Sequence, residues 1–65
     1  MSIVTINMIK GRSNELKEKV IINVSKTIAD TLSIPIERVS ITINESEKEN
    51  VGIGGVVASK TDIKI

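Results

Sequence analysis

Leu16, Val20, Val24, Ile28 and Leu32 recur at every fourth position, and the segments on both sides of this row alternate with a period of two. Period-two segments read as strands, and a row at i, i+4 reads as one face of a helix. In the first segment, residues 2–9, Val4, Ile6 and Met8 point one way and Ile3, Thr5, Asn7 and Ile9 the other. In the second, residues 38–45, Val39, Ile41 and Ile43 share one face, while Arg38, Ser40, Thr42 and Asn44 share the opposite one. Strand, helix and strand in this order form a β-α-β unit, whose two strands are parallel and joined by a right-handed crossover.

Local signals set the boundaries. Gly11 ends the first strand, and Ser13 is a good N-cap with Glu15 and Glu18 in the first turns. Ile21 widens the apolar row into a stripe, with Lys17, Lys19, Asn23, Lys26 and Asp30 mostly off it. The helix is predicted over about 14–32, roughly 28 Å long at 1.5 Å per residue. Pro35 drives Ile34 out of the helical region and marks the helix as finished. Residues 45–50, ESEKEN, read as a polar loop. VGIGGVVA at 51–58 reads as a small hairpin turning at Gly54-Gly55 between Ile53 and Val56. A phosphate-cradling glycine loop is the other reading, but neither nucleotide-loop spacing is present and no helix pattern follows. The tail SKTDIKI reads as an arm or short strand, with Ile63 and Ile65 packed on another subunit.

The predicted architecture is one α/β (α+β) domain over residues 1–65, a β-α-β subunit with parallel strands and a small C-terminal β-hairpin. Such a unit leaves one sheet face uncovered, and that face carries Thr5, Asn7, Thr42 and Asn44. A chain of 65 residues buries only about 60% of the surface it exposes when unfolded. Short chains therefore need disulfides, a metal or partner subunits. This one has no Cys and no His, so disulfides and a structural zinc site are excluded. With no Phe, Tyr or Trp, its core rests on Ile, Val, Leu, Met and Ala alone. Oligomerisation is what remains.

The net charge is +1, with both signs scattered. No basic run or aromatic platform points to nucleic acid. No apolar run exceeds three residues, so nothing reads as a membrane span, and no signal-peptide pattern opens the chain. A cytoplasmic protein is the expectation. Without His or Cys there is no Ser-His-Asp triad and no Cys-His pair. Any general base is a carboxylate, a lysine or the chain's own α-amino group.

Arg12, one of two arginines, stands just before the helix start, where the helix end already carries partial positive charge. It is either a solvated surface charge or part of an anion site made of forked guanidinium donors and free backbone N–H groups.

The order of GRS, a long helix, Pro35, an alternating strand and GIGGVVASK resembles the 4-oxalocrotonate tautomerase family. That family lies within the superfamily that includes macrophage migration inhibitory factor, and the resemblance covers essentially the whole chain. It implies hexamers built as trimers of dimers, here a homo-oligomer. It implies keto–enol tautomerisation of small unsaturated 2-oxo acids, a small carboxylate as ligand, and no cofactor or metal. In the family the base is an N-terminal proline amine exposed by removal of the initiator Met. Arginines hold the carboxylate and polarise the 2-oxo group, and an aromatic residue before GIGG keeps the pocket apolar. Carried over, Arg12 matches the GRS arginine and Ile9 an apolar pocket wall. The proline position is Ser2, the second arginine falls at Ser40, and the aromatic falls at Val51.

Ser2 is either an ordinary strand residue or, after Met1 removal, a primary α-amine of a kind that titrates near about 8. Such an amine can act as a base or form a neutral imine with a carbonyl. Arg38, two residues before Ser40, is either a surface charge or a partial replacement for the missing arginine. Two functions follow from the resemblance. One is a weak tautomerase. The other is a tautomerase-fold protein that binds a small carboxylate without catalysis, or serves as the silent subunit of a mixed oligomer.

Overall fold

In the computed structural model, which describes residues 1–62, the first strand β1 spans Ser2–Ile9, the helix α1 Asn14–Leu32 and the second strand β2 Val39–Ser46. β1 and β2 pair in parallel, from Ser2 opposite Val39 to Ile9 opposite Ser46. The predicted hairpin is present, with β3 (Gly52–Ile53) antiparallel to β4 (Val56–Val57). Gly54 and Gly55 turn it with φ of 60° and 83°, the left-handed values that a two-residue turn needs and that glycine adopts without strain.

Both strands alternate as the sequence predicts. Val4, Ile6, Met8, Val39, Ile41 and Ile43 are half-buried, while Ile3, Thr5, Asn7, Ser40, Thr42 and Asn44 are exposed. On the exposed face like residues stand opposite each other, Thr5 by Thr42 and Asn7 by Asn44. The Asn44 amide donates to Asn7 Oδ1 at 3.3 Å.

The helix starts where Ser13 caps it, its hydroxyl accepting from the Leu16 N–H at 3.2 Å. It stops at Leu32, one residue earlier than the constraint of Pro35 on Ile34 would require. Ser33 adopts the left-handed conformation with φ 55°, and the Ile34 N–H folds back to the Ala29 carbonyl at 3.0 Å.

Three expectations are corrected. The apolar row faces inward only in its middle: Val20, Val24 and Ile28 are half-buried, while its ends Leu16 and Leu32, and Ile21 beside it, are exposed; Ala29 is the helix's one buried residue and Lys17 is half-buried. Each step of four residues advances about 40° around an α-helix, so the ends of such a row turn away from the face its middle covers, and the partly covered Lys17 side chain sets its head against Glu45. Arg38 is not a strand residue. It ends a 3-10 turn over Ile36–Arg38, and its N–H is used by the Pro35 carbonyl at 3.0 Å, so β2 begins one residue later. Ser59 and Lys60 are not part of an extended arm but of a 3-10 turn, Ala58–Lys60. That turn is seated by buried Ala58, whose N–H donates to the Val51 carbonyl at 2.7 Å. The polar loop also holds a 3-10 turn, Lys48–Asn50. The expectations for Ile63 and Ile65 lie outside the described residues.

Candidate functional site

The strand register divides the candidate residues between the two ends of the β1–β2 ribbon. Ser2 lies opposite Val39 and Ile3 opposite Ser40, so Ser2, Ser40 and the preceding Arg38 gather where both strands begin. Ile9 lies opposite Ser46 at the far end, with Arg12 in the loop that follows. Ile9 is seven strand steps from Ser2, about 23 Å at 3.3 Å per step. Three further residues reach at most about 11 Å. One chain therefore cannot bring Ser2 against Arg12. A site that uses both needs the start of one ribbon beside the end of another.

The far end has the pocket. A cavity of about 280 Å3 is lined by Asn7, Met8, Ile9, Ser46 and Val51. Val51 is half-buried, and the hydrogen bond from Ala58 to its carbonyl holds the hairpin's base against this wall. Two of the five, Ile9 and Val51, carry over from the family pattern. Asn7, Met8 and Ser46 carry no signal as pocket residues in the sequence, because Ser46 meets Ile9 only through a long-range register.

The loop holding Arg12 is tied at both ends to the end of β2. The Lys10 N–H donates to the Ser46 carbonyl at 2.9 Å, and Lys10 Nζ lies 3.2 Å from Glu47 Oε1. Beyond the loop, Lys17 Nζ lies 2.7 Å from Glu45 Oε1. The Lys10 pair is more than half exposed, so water screens it and it contributes little. The Lys17 pair, with side chains 19% and 23% exposed, is the firmer strut. Arg12 is exposed and makes no ion pair among the described residues. No group of His, Cys, Asp or Glu able to hold a metal ion occurs among the described residues, and no helix there is long and apolar enough to cross a membrane.

A parallel β-α-β subunit with a glycine-turned hairpin, an arginine before its helix and a small pocket beside it has the frame of a small tautomerase. Residues 3–61 match the family model described as tautomerase enzyme. A 2-hydroxymuconate tautomerase of Pseudomonas fluorescens is 47% identical over 60 residues, covering 92% of this chain and 95% of that one. Among solved structures, an apo unfused 4-OT superposes with a TM-score of 0.88 at 30% identity, covering 94% of this chain and all of that one (100%). A heterohexameric 4-oxalocrotonate tautomerase from Chloroflexus aurantiacus J-10-fl gives 0.87 at 27% identity, covering 92% and 97%. The chain belongs to the 4-oxalocrotonate tautomerase family.

Proposed function

We propose that this chain, assembled as a homo-oligomer in the cytoplasm, interconverts the keto and enol forms of small unsaturated 2-oxo and 2-hydroxy acids, without a cofactor and slowly for its family. The observation that carries the reading is the pocket that Ile9 and Val51 share at the Arg12 end of the ribbon. Arg12 holds the substrate carboxylate. The hexamer of the resemblance, a trimer of dimers, supplies the Ser2 end of a neighbouring copy.

In ketonisation the 2-hydroxyl loses a proton and a side-chain carbon gains one. The α-amine of Ser2, exposed once Met1 is removed, carries that proton. Ser40 offers a neutral hydroxyl in place of a cation beside the developing enolate charge. Arg38, next to it at the start of β2, supplies a cation from a different backbone position. Val51 excludes less water than an aromatic ring.

A second reading rests on the joint departure of Ser2, Ser40 and Val51 from the family pattern, and on the heterohexameric assembly of the Chloroflexus relative. In it this chain is a non-catalytic subunit, and a partner chain supplies the proline.

Stepwise restoration tests both. Intact mass first shows whether Met1 is removed. Ser2→Pro, then Ser40→Arg, then Val51→Phe are assayed for ketonisation of phenylenolpyruvate and 2-hydroxymuconate. A positioned general base is worth about 10²–10⁴-fold and a donor to the developing charge about 10²–10³-fold, without strict additivity. Activity is expected to rise at each step. An unmodified protein as fast as its fully restored form overturns the assignment of these three positions as losses. Activity that appears only with Ser2→Pro supports the silent-subunit reading.

A further inference from the structure

Between the end of β1 and the first turns of α1 the backbone follows a course that is held on both sides of Arg12. The Lys10 N–H donates to the Ser46 carbonyl at 2.9 Å. Gly11 then turns the chain with a φ of 150°, a conformation that glycine adopts freely and residues with a Cβ rarely do. Arg12 follows at once, and Ser13 caps the helix, its hydroxyl accepting from the Leu16 N–H at 3.2 Å. The Lys17 N–H donates to the Ser13 carbonyl at 3.1 Å, so Lys17 is tied through its backbone to the residue next to Arg12. Its side chain reaches the other way, Nζ lying 2.7 Å from Glu45 Oε1. Glu45 stands opposite Met8 in the strand register and directly before Ser46, the residue that anchors Lys10.

The two ion pairs near this segment are not equivalent. Lys10 and Glu47 are 3.2 Å apart with side chains 62% and 56% exposed, so water and salt weaken the pair. Lys17 and Glu45 form a short charge-assisted hydrogen bond between side chains that are mostly shielded. Both partners belong to one chain, so no neighbouring copy is needed to form the pair. A bidentate grip on a carboxylate depends on the direction of the guanidinium fork. A backbone already fixed has less freedom to lose when that grip closes.

We propose that Lys17 and Glu45 are positioning residues for Arg12: their pair holds the start of α1 against the end of β2 and so fixes the backbone that carries the guanidinium. The proposal rests on the carboxylate-holding role given to Arg12 above for its purpose, and on the Lys17–Glu45 contact for its means. The pair acts through Arg12 and not by touching the substrate.

The test reads order and affinity separately on the assembled protein. Lys17→Met keeps the aliphatic stem and removes the charged head, and Glu45→Gln keeps the shape and removes the charge. Lys17→Glu combined with Glu45→Lys reverses the pair, and Glu47→Gln breaks the exposed pair as a control. Backbone amide relaxation by NMR gives the order parameter of Arg12, with Val24 in the middle of α1 as reference. Lys17→Met and Glu45→Gln are each expected to lower the Arg12 value toward about 0.6 while Val24 stays near about 0.85. The reversed pair is expected to restore Arg12, and Glu47→Gln to leave it unchanged. In calorimetric titration with 2-oxohexanoate, Glu45→Gln is expected to bind at least about threefold more weakly than the unmodified protein, as for coupled neighbours, and to add no loss to that of Arg12→Ala. An Arg12 order parameter unmoved by both Lys17→Met and Glu45→Gln in folded protein overturns the proposal. So does an equal fall at Val24, which marks a general loosening of the helix, or a further loss of affinity when Glu45→Gln is added to Arg12→Ala. Affinity unchanged by Glu45→Gln where Arg12→Ala weakens binding overturns it as well. If Arg12→Ala binds 2-oxohexanoate as the unmodified protein does, or neither binds it, the carboxylate-holding role of Arg12 fails, and the order parameters still decide whether the pair fixes the Arg12 backbone.

Discussion

Arg12 stands exposed between two lysines that are both occupied, Lys10 with Glu47 and Lys17 with Glu45. An arginine kept out of such pairs is free to meet a ligand's carboxylate. Removing it should weaken binding of a small 2-oxo acid by about 1.5–3 kcal/mol, the range for hydrogen bonds to a charged group. Stability should change by less than about 0.5 kcal/mol, as for other surface substitutions. Calorimetric titration of Arg12→Ala beside the unmodified protein measures the first, and a denaturant midpoint the second. Equal affinity in the two proteins would return Arg12 to an ordinary solvated charge. Of the pocket's lining, Ile9 and Val51 were legible in the sequence, because GRS and GIGG fix their places in a short chain. Asn7, Met8 and Ser46 were not, because a pocket wall built by strand pairing exists only once the register is known. Arg38 misled for a local reason: the Pro35 carbonyl takes its N–H, and the alternation that includes it in the strand has no means of showing that bond.

At the scale of elements, period was a good guide and orientation a poorer one. The helix and first strand have the bounds that Ser13, Gly11 and the apolar patterns indicate, and the second strand is displaced by one residue. The middle of the α1 row, Val20, Val24 and Ile28, was legible, and its exposed ends were not, because a row at every fourth position winds about 40° per step around the helix. The burial of Ala29 and the half-burial of Lys17 leave no mark in an apolar row. The helix also ends on a residue ill suited to its backbone. Ser33 holds φ 55° and ψ 47°, a left-handed conformation that costs a residue with a Cβ about 1–2 kcal/mol. Glycine removes that cost and adds back about 0.5–1 kcal/mol of unfolded-state freedom. Ser33→Gly should therefore stabilise the protein by about 0.5–1 kcal/mol. Because assembly contributes to apparent stability, the midpoints are compared at one protomer concentration. A lower midpoint for Ser33→Gly would mean that the serine hydroxyl makes a contact across subunits that outweighs the strain.

The whole molecule is larger than its mass warrants. Its radius of gyration is 14.7 Å, against about 11 Å for a compact chain of this length. Its accessible surface is 4983 Å2, against about 4,000 Å2 for a folded monomer of its mass. The excess is comparable to the roughly 800 Å2 that each partner loses in a standard interface. Among the described residues only Ala29 and Ala58 are buried, and Ile3 on the sheet's outer face is 74% exposed, with Ile22 and Leu32 on the helix at 54% each. A two-stranded sheet also leaves an unpaired edge on both β1 and β2. These features describe a subunit whose core is finished by its neighbours. Light scattering at micromolar concentration should find a dimer or larger, with the hexamer of the family resemblance as the expected state. Ile3→Lys separates assembly from folding. In an isolated subunit a lysine at so exposed a position is nearly neutral. In an assembly that covers the outer sheet face it buries an unpaired ammonium, which costs several kcal/mol. The variant should therefore lose mass by scattering and lose helical signal with it, since the subunit has little core of its own. An unmodified protein that stays folded as a monomer at micromolar concentration would overturn this account, and with it any site that joins Ser2 of one copy to Arg12 of another.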